Sequence, residues 1–237
     1  MKQLLYFVSA ILLMSTACKK ETIRQIDSTY KPDVTPSKFI NSTKVDNPYH
    51  PVTAGKKYIY EGQTPDGLER IEERRLTTTK TILGITCIVV EFKAFINATL
   101  IEKAFDWYAQ DNAGNLWYFG EAVDNYNPNG TLKDHAGSWE AGVDGAQPGM
   151  IMPANPQTGM AYREEYYFNH AEDKAEVIAT GQTVSIPFGT FNNCIKTKNW
   201  TELEPHLDEN KYYAPGIGLV KEVNIKDKYE INLIAIQ

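Results

Sequence analysis

The sequence predicts an all-β fold: a single antiparallel meander that forms a curved sheet, half-barrel or barrel, with one long irregular loop segment. Three observations favour this class. Helix-forming stretches are sparse, short runs of β-branched and aromatic residues recur along the chain, and turn residues separate these runs. Consecutive strands joined by short polar turns favour antiparallel pairing over crossover connections.

The predicted strands follow one another from residue 57 to the C-terminus. They cover residues 57–61, 68–76, 86–95, 100–110, 116–121, 161–169, 175–179, 183–188, 193–200, 218–225 and 228–236. Residues 111–115 contain Gly114 and have a favoured hairpin length, so the strands on either side of them should pair. Between residues 125 and 159, Gly and Pro are dense and the pattern breaks, which predicts an irregular segment of the kind that is often functional.

The N-terminus has the features of a secretory signal. Lys2 precedes an apolar run of about 11 residues, and small residues lead to Cys18. A membrane-spanning helix needs roughly 20 apolar residues, so this run is too short for one. An ordinary secretory signal followed by an incidental cysteine is the alternative to a lipoprotein signal.

The residues before Cys18 resemble the lipobox of bacterial lipoproteins, in the looser form found in Bacteroidetes-type bacteria. Ser15 departs from the pattern, because leucine is usual there. The resemblance implies cleavage before Cys18 and acylation of Cys18. It further implies an outer-membrane lipoprotein of the bacterial cell envelope, facing the periplasm or the cell surface.

Three segments follow from these features. Residues 1–17 are the predicted lipoprotein signal peptide, and residues 18–45 are the lipidated cysteine and a polar tether without periodicity, which we expect to be disordered. Residues 46–237 are long enough for a single β-rich domain with its own core.

The charge of the exported part limits its partners. Without residues 1–17 it carries 23 basic and 30 acidic side chains. Nucleic-acid binding needs basic stripes, so we expect no nucleic-acid partner. The expected partners are the membrane, through the lipid anchor, and an unidentified small-molecule, glycan, peptide or lipid ligand.

Two cysteines remain in the predicted domain, Cys87 and Cys194, each within an apolar strand-like run. Outside the cytoplasm such a pair is a candidate disulfide. Two buried free thiols are the alternative interpretation.

Two groups of residues could form a ligand site. Glu140 and Asp144 lie among glycines, so their loop could wrap around Ca²⁺, the one cofactor that the pattern suggests; a purely structural loop with solvated acids is the alternative. Trp107, Trp117 and Trp139 could line a ligand groove or simply pack in the core.

No catalytic residues are assigned, because the chain has no G-x-S-x-G elbow and no histidine pair at metal-ligand spacing. The sequence therefore favours a binding or structural module over an enzyme. The alternative is a hydrolase that uses the 125–159 segment, either with a bound cation or with a carboxylate pair. Glu164, Glu165, Glu172 and Asp173 extend the carboxylates available for such a pair.

Several longer runs resemble a family of exported bacterial proteins of unknown function. They are DWYAQD at 106–111 with NLWYFGE at 115–121, GSWEAGVDGA at 137–146 with PG and MPA after it, and YYAPGIGLV at 212–220. The last run is also similar to the C-terminal strands of periplasmic lipoproteins with half-barrel folds. The resemblance implies a curved sheet and export, and it implies no activity.

Overall fold

The structure is a computed structural model that describes residues 25–204 and 208–237. The predicted signal peptide and Cys18 lie outside the described residues. Of the described residues, 25–30 belong to one unit, and those of Lys31–Gln237 belong to a second, compact unit that contains all the described strands. None of the described helices has the length and apolar character needed to cross a membrane.

Fifteen antiparallel strands form the compact unit, so the prediction of an all-β meander is confirmed. They are β1 (Lys57–Thr64), β2 (Gly67–Ile82), β3 (Ile85–Ile96), β4 (Thr99–Gln110), β5 (Leu116–Tyr126), β6 (Leu132–Asp134), β7 (Trp139–Glu140), β8 (Gln147–Met152), β9 (Ala161–Arg163), β10 (Glu165–Tyr166), β11 (Lys174–Ile186), β12 (Gly189–Trp200), β13 (Asp208–Ala214), β14 (Gly218–Asn224) and β15 (Tyr229–Ile236). A 3₁₀ helix, Pro36–Lys38, precedes them.

The strand order is β10-β8-β5-β4-β3-β2-β1-β15-β14-β13-β12-β11-β9, and β6 and β7 also pair with β5. Two runs of neighbouring hairpins, β1 to β5 and β11 to β15, join where β1 pairs with β15. The hairpin expected around residues 111–115 is present, since Gln110 pairs with Leu116. The sheet stays open in its hydrogen bonding, because β9 and β10 do not pair with each other.

The two ends of this open sheet nevertheless meet at one chain segment. Glu164 alone separates β9 from β10 in the sequence, yet β9 pairs with β11 and β10 pairs with β8. Gly149 in β8 permits the close approach, since a Cβ atom there would lie 2.0 Å from the Glu164 carbonyl oxygen. The sheet must therefore curve until its ends come together, which gives it a concave inner face.

The irregular segment predicted for residues 125–159 is more ordered than expected. It contains β6, β7 and β8, all of which pair with β5. Four of its glycines, Gly130, Gly137, Gly142 and Gly145, lie in the turns before these short strands and have positive φ angles. The sequence did not reveal these three strands, because strands of two to six residues are too short to show a period of two.

The expected disordered tether is wrong for residues 31–45. Phe39, Ser42 and Val45 are buried, and the Phe39 ring packs edge-on against Phe119 at 5.7 Å between centroids. The Ser42 hydroxyl donates to the carbonyl oxygen of Thr86 at 2.6 Å. These residues cover a strip of the sheet, so the domain begins earlier than residue 46.

The predicted disulfide is also wrong, because Cys87 and Cys194 are both free and buried. Cys87 lies in β3 and Cys194 in β12, and five strands separate these two in the sheet order. The thiols belong to different apolar clusters. Burial raises the pKa of Cys87 to about 12, so its thiol stays protonated and unreactive at neutral pH.

We therefore expect the midpoint of thermal unfolding to be the same with and without a reductant such as dithiothreitol. A disulfide closing so long a loop would contribute up to about 4–5 kcal/mol in the chain-entropy model. A clear fall of the midpoint on reduction, absent in the Cys87→Ala protein, would contradict the separation of the two thiols.

Candidate functional site

The three tryptophans singled out from the sequence pack within the fold. Trp107 and Trp139 are 7% and 5% exposed and belong to one apolar cluster, against which Trp117 packs. The indole N–H of Trp117 donates to Asp111 at 2.9 Å. The ammonium group of Lys80 lies 3.3 Å from the Trp107 ring centroid. These rings therefore form no open groove for a ligand.

Glu140 and Asp144 do not form a cation site either. Glu140 forms an ion pair with Lys80 at 2.6 Å, and Asp144 is exposed in a turn with a φ of 48°. In residues 25–204 and 208–237, no three His, Cys, Asp or Glu side chains are grouped so that they could hold a metal ion. The Ca²⁺ hypothesis therefore has no ligand set in this part of the chain.

The concave side of the sheet instead contains a cavity of about 180 Å³, which we call the acid-lined cavity. Its lining consists of His50, Glu73, Tyr108, Tyr118, Ile151, Glu164, Glu165, Asp173, Lys211, Tyr213 and Leu219. A single water needs only roughly 10–15 Å³, so the space is large enough for a small organic molecule. The lining takes only Ile151 from the 125–159 segment.

A second cavity of about 60 Å³, the entrance cavity, adjoins the first. The two share His50, Glu73, Tyr108 and Leu219. Thr53 and Lys56, which also line the entrance cavity, are exposed, so the entrance cavity reaches the surface at this loop.

Strand alternation places these side chains on the inner face. In β4, Asp106 and Tyr108 line the cavities, whereas Trp107 between them lies in the apolar cluster with Phe39. In β13, Lys211 and Tyr213 point inward at a spacing of two. Strands β2, β4, β5, β10 and β13 contribute one or two polar side chains each to the acid-lined cavity, and the curvature of the sheet brings them together.

His50 comes from a loop that Asn47 holds in place. Asn47 is 1% exposed; its side-chain oxygen accepts hydrogen bonds from the backbone N–H groups of Tyr49 and His50, and its amide donates to the Gly114 carbonyl. The His50 ring then lies beside Tyr108 and Tyr213, at 6.4 and 5.9 Å between centroids.

Burial dominates the electrostatics of the acids. It raises the pKa of Glu73 and of Glu164 to about 7, although the field of Lys211 acts in the opposite direction. Burial, together with the neighbouring Asp173 and Glu164, raises the pKa of Glu165 well above its usual value. Near neutral pH, Glu73 and Glu164 are therefore partly protonated, because burial disfavours the charged form of a carboxyl group.

Asp106, which lines the entrance cavity, shows the same effect. Burial and the nearby Glu73 raise its pKa, and the hydroxyl groups of Tyr118 and Tyr108 donate to it at 3.3 and 3.4 Å.

Lys211 and His50 are the two basic side chains of the acid-lined cavity. Burial alone would lower the pKa of Lys211, but Glu222 and Glu209, with carboxylate oxygens 3.3 and 3.7 Å from its Nζ, raise it well above its usual value. Burial and the field of Lys211 lower the pKa of His50 to about 4. At neutral pH, Lys211 is charged and His50 is neutral.

Two residues of the lining each carry a polar atom that is inaccessible to solvent and has no hydrogen-bond partner: His50 Nδ1 and Glu165 Oε2. Trp139 lies near enough to Glu165 for its indole N–H to lower the pKa of that carboxyl group. The distance and angle nevertheless do not amount to a hydrogen bond, so both Trp139 Nε1 and Glu165 Oε2 lack a partner. Buried polar groups normally find a partner, and leaving one unpaired costs about 1–3 kcal/mol.

Sequence reasoning found part of this site. It named Glu164, Glu165 and Asp173 as available carboxylates, but Glu172, named with them, accepts a hydrogen bond from the backbone N–H of Asn169 and does not line the cavity. It assigned no role to Glu73, Lys211 or His50. The one available signal was the charged residues at every second position of β13, Glu209 and Lys211, and it pointed to Lys211 alone.

Comparisons with known proteins give little further information. No protein-family profile and no curated protein sequence matches this chain. Among solved structures, the chain is similar to one described as a "putative lipoprotein from Parabacteroides distasonis". That match has 14% sequence identity and a TM-score of 0.43, and it covers 81% of this chain and all of the other. A TM-score at this level is too low to carry an argument about function.

Proposed function

We propose that this protein is a lipid-anchored protein of the bacterial outer membrane that binds a small molecule in the acid-lined cavity. The main support is that His50 and Glu165 line this cavity and that His50 Nδ1 and Glu165 Oε2 have no hydrogen-bond partner. A bound ligand with hydrogen-bonding groups would supply these partners, and the entrance cavity offers it a path from the surface.

The anchor is tested separately from the cavity. We expect the wild-type protein to incorporate labelled palmitate and to sediment with outer membranes, because several acyl chains on one cysteine anchor a protein stably. The Cys18→Ser protein should lose both properties. Sedimentation of this variant with the membrane would overturn the lipid-anchor proposal.

Ligand binding is tested by thermal unfolding of the purified protein with neutral sugars, dipeptides, amines and carboxylic acids. A ligand that binds only the folded state raises the midpoint. We expect at least one class to raise it in the wild type and not in Ile151→Trp, which fills the cavity. If Ile151→Trp does not fold, Leu219→Trp serves the same purpose. If no class raises the midpoint, the cavity is not a binding site for these compounds and the proposal fails.

A further inference from the structure

We propose that the ligand of the acid-lined cavity is a small aliphatic amine carrying at least one protonated amino group, with a short diamine as the best fit. This inference rests on the proposed function, because it names the chemical class that the same cavity would bind.

The first step is the charge balance of the lining. Glu73, Glu164, Glu165 and Asp173 face the cavity, and in the described part of the chain none of them forms an ion pair with a lysine or an arginine. Lys211 is engaged by Glu209 and Glu222, which are outside the lining. The cavity therefore has a surplus of acidic groups, which are partly protonated by themselves near neutral pH and could ionise fully if a cation from outside balanced them.

The second step is the unpaired atoms. When Glu165 is ionised, its Oε2 accepts hydrogen bonds and cannot donate one. Neutral His50 accepts a hydrogen bond at Nδ1 when its proton is on Nε2. In these two states an ammonium group, which has three donors and no acceptor, can satisfy both atoms, whereas an anion or a carbonyl compound can satisfy neither.

The third step separates an organic cation from a metal ion. The carboxylates are not grouped as a metal-ligand set within residues 25–204 and 208–237. The other walls are Tyr108, Tyr118, Tyr213, Ile151 and Leu219. Aromatic faces combined with carboxylates recognise ammonium groups, while apolar side chains contact an alkyl chain. The entrance cavity extends the space in one direction, which suits a linear molecule, and it is lined by the acids Glu73 and Asp106 as well as by the cations Lys56 and Arg75.

The test is isothermal titration calorimetry with three probes of similar length: 1,4-diaminobutane, 1,4-butanediol and succinate. We expect the diamine to bind the wild-type protein and the diol and succinate to bind at least about tenfold more weakly. The Glu165→Gln protein should bind the diamine about tenfold more weakly than the wild type. Glu202→Gln makes the same chemical change at an exposed carboxylate and should bind the diamine like the wild type.

A second readout is the proton balance. At pH 7 the wild-type cavity holds partly protonated carboxyl groups, and a bound ammonium group favours their ionised form. Diamine binding should therefore release protons, seen as a binding enthalpy that changes with the ionisation enthalpy of the buffer. Glu202→Gln should release as many protons as the wild type.

The outcomes separate the two proposals. Equal binding of diamine and diol, or tighter binding of succinate, would overturn the amine inference and leave the proposed binding function standing. Diamine binding that is unchanged in Glu165→Gln would place the amine elsewhere and also overturn the inference. If no probe binds and no compound class shifts the unfolding midpoint, both proposals fail.

Discussion

Replacing Lys211 with Met is expected to lower the free energy of unfolding by about 3 kcal/mol at pH 8. Breaking a buried ion pair by removing one partner leaves the other charge uncompensated, which typically costs about 3–5 kcal/mol. The side chains of Lys211 and Glu222 are 26% and 18% exposed, so we expect the lower end of this range. The loss should shrink at pH 5, because the carboxyl groups left without a cation become protonated there. Chemical denaturation at the two pH values measures both quantities.

Lys198→Met is the matched control for this experiment. Lys198 lies in β12, next to β13, and its Nζ is 3.6 Å from Asp208, but its side chain is 45% exposed. Exposed pairs contribute about 0–1 kcal/mol, so this variant should be nearly as stable as the wild type. Equal losses in the two variants would show that Lys211 does not balance a buried cluster.

Replacing Glu164 with Gln is expected to stabilise the protein at pH 8 by about 1–3 kcal/mol and to leave its stability at pH 4 unchanged. Burial raises the pKa of Glu164 from 4.5 to about 7 in the folded state, so between these values the folded state binds more protons than the unfolded state. Stability therefore falls as the pH rises through this window. Gln stays neutral and keeps an oxygen for the Asn199 amide, which donates to Glu164 at 2.8 Å.

The opposing contribution of His50 cancels in this comparison. Its pKa is lowered to about 4, so it makes the protein more stable as the pH rises from about 4 towards 6.5, equally in both proteins. Urea denaturation of wild type, Glu164→Gln and the exposed control Glu202→Gln at pH 4, 6 and 8 measures the difference. A stability gain of the same size at all three pH values would contradict the raised pKa of Glu164.

Local patterns were sufficient for the sheet but not for all of its strands. The hairpin of β4 and β5 and the final strand β15 were predictable, because alternating apolar residues and a polar turn are contained in a few consecutive residues. Strand β13 was missed, since its first residues, Asp208, Glu209, Asn210 and Lys211, are all polar. A polar inner face hides the signal that normally marks a strand, and this is the strand that carries Lys211.

The predictions of the domain boundary and of the disulfide were wrong for a different reason. Residues 31–45 are polar on average, and only the docking of Phe39, Ser42 and Val45 onto distant strands orders them. Cys87 and Cys194 both lie in strands, as expected, but their separation depends on how the whole sheet is ordered. Neither feature is visible in a local window of sequence.

The sequence by itself determined the all-β meander, most of its turns and the residues that predict export and lipidation. The tertiary structure alone decided which face of the sheet is concave, how its two ends meet at Glu164, and which acids share the cavity. A period of two separates the faces of a strand without saying which face lies inside. The curvature that brings Glu73, Glu164 and Lys211 together arises from pairings between strands far apart in the chain.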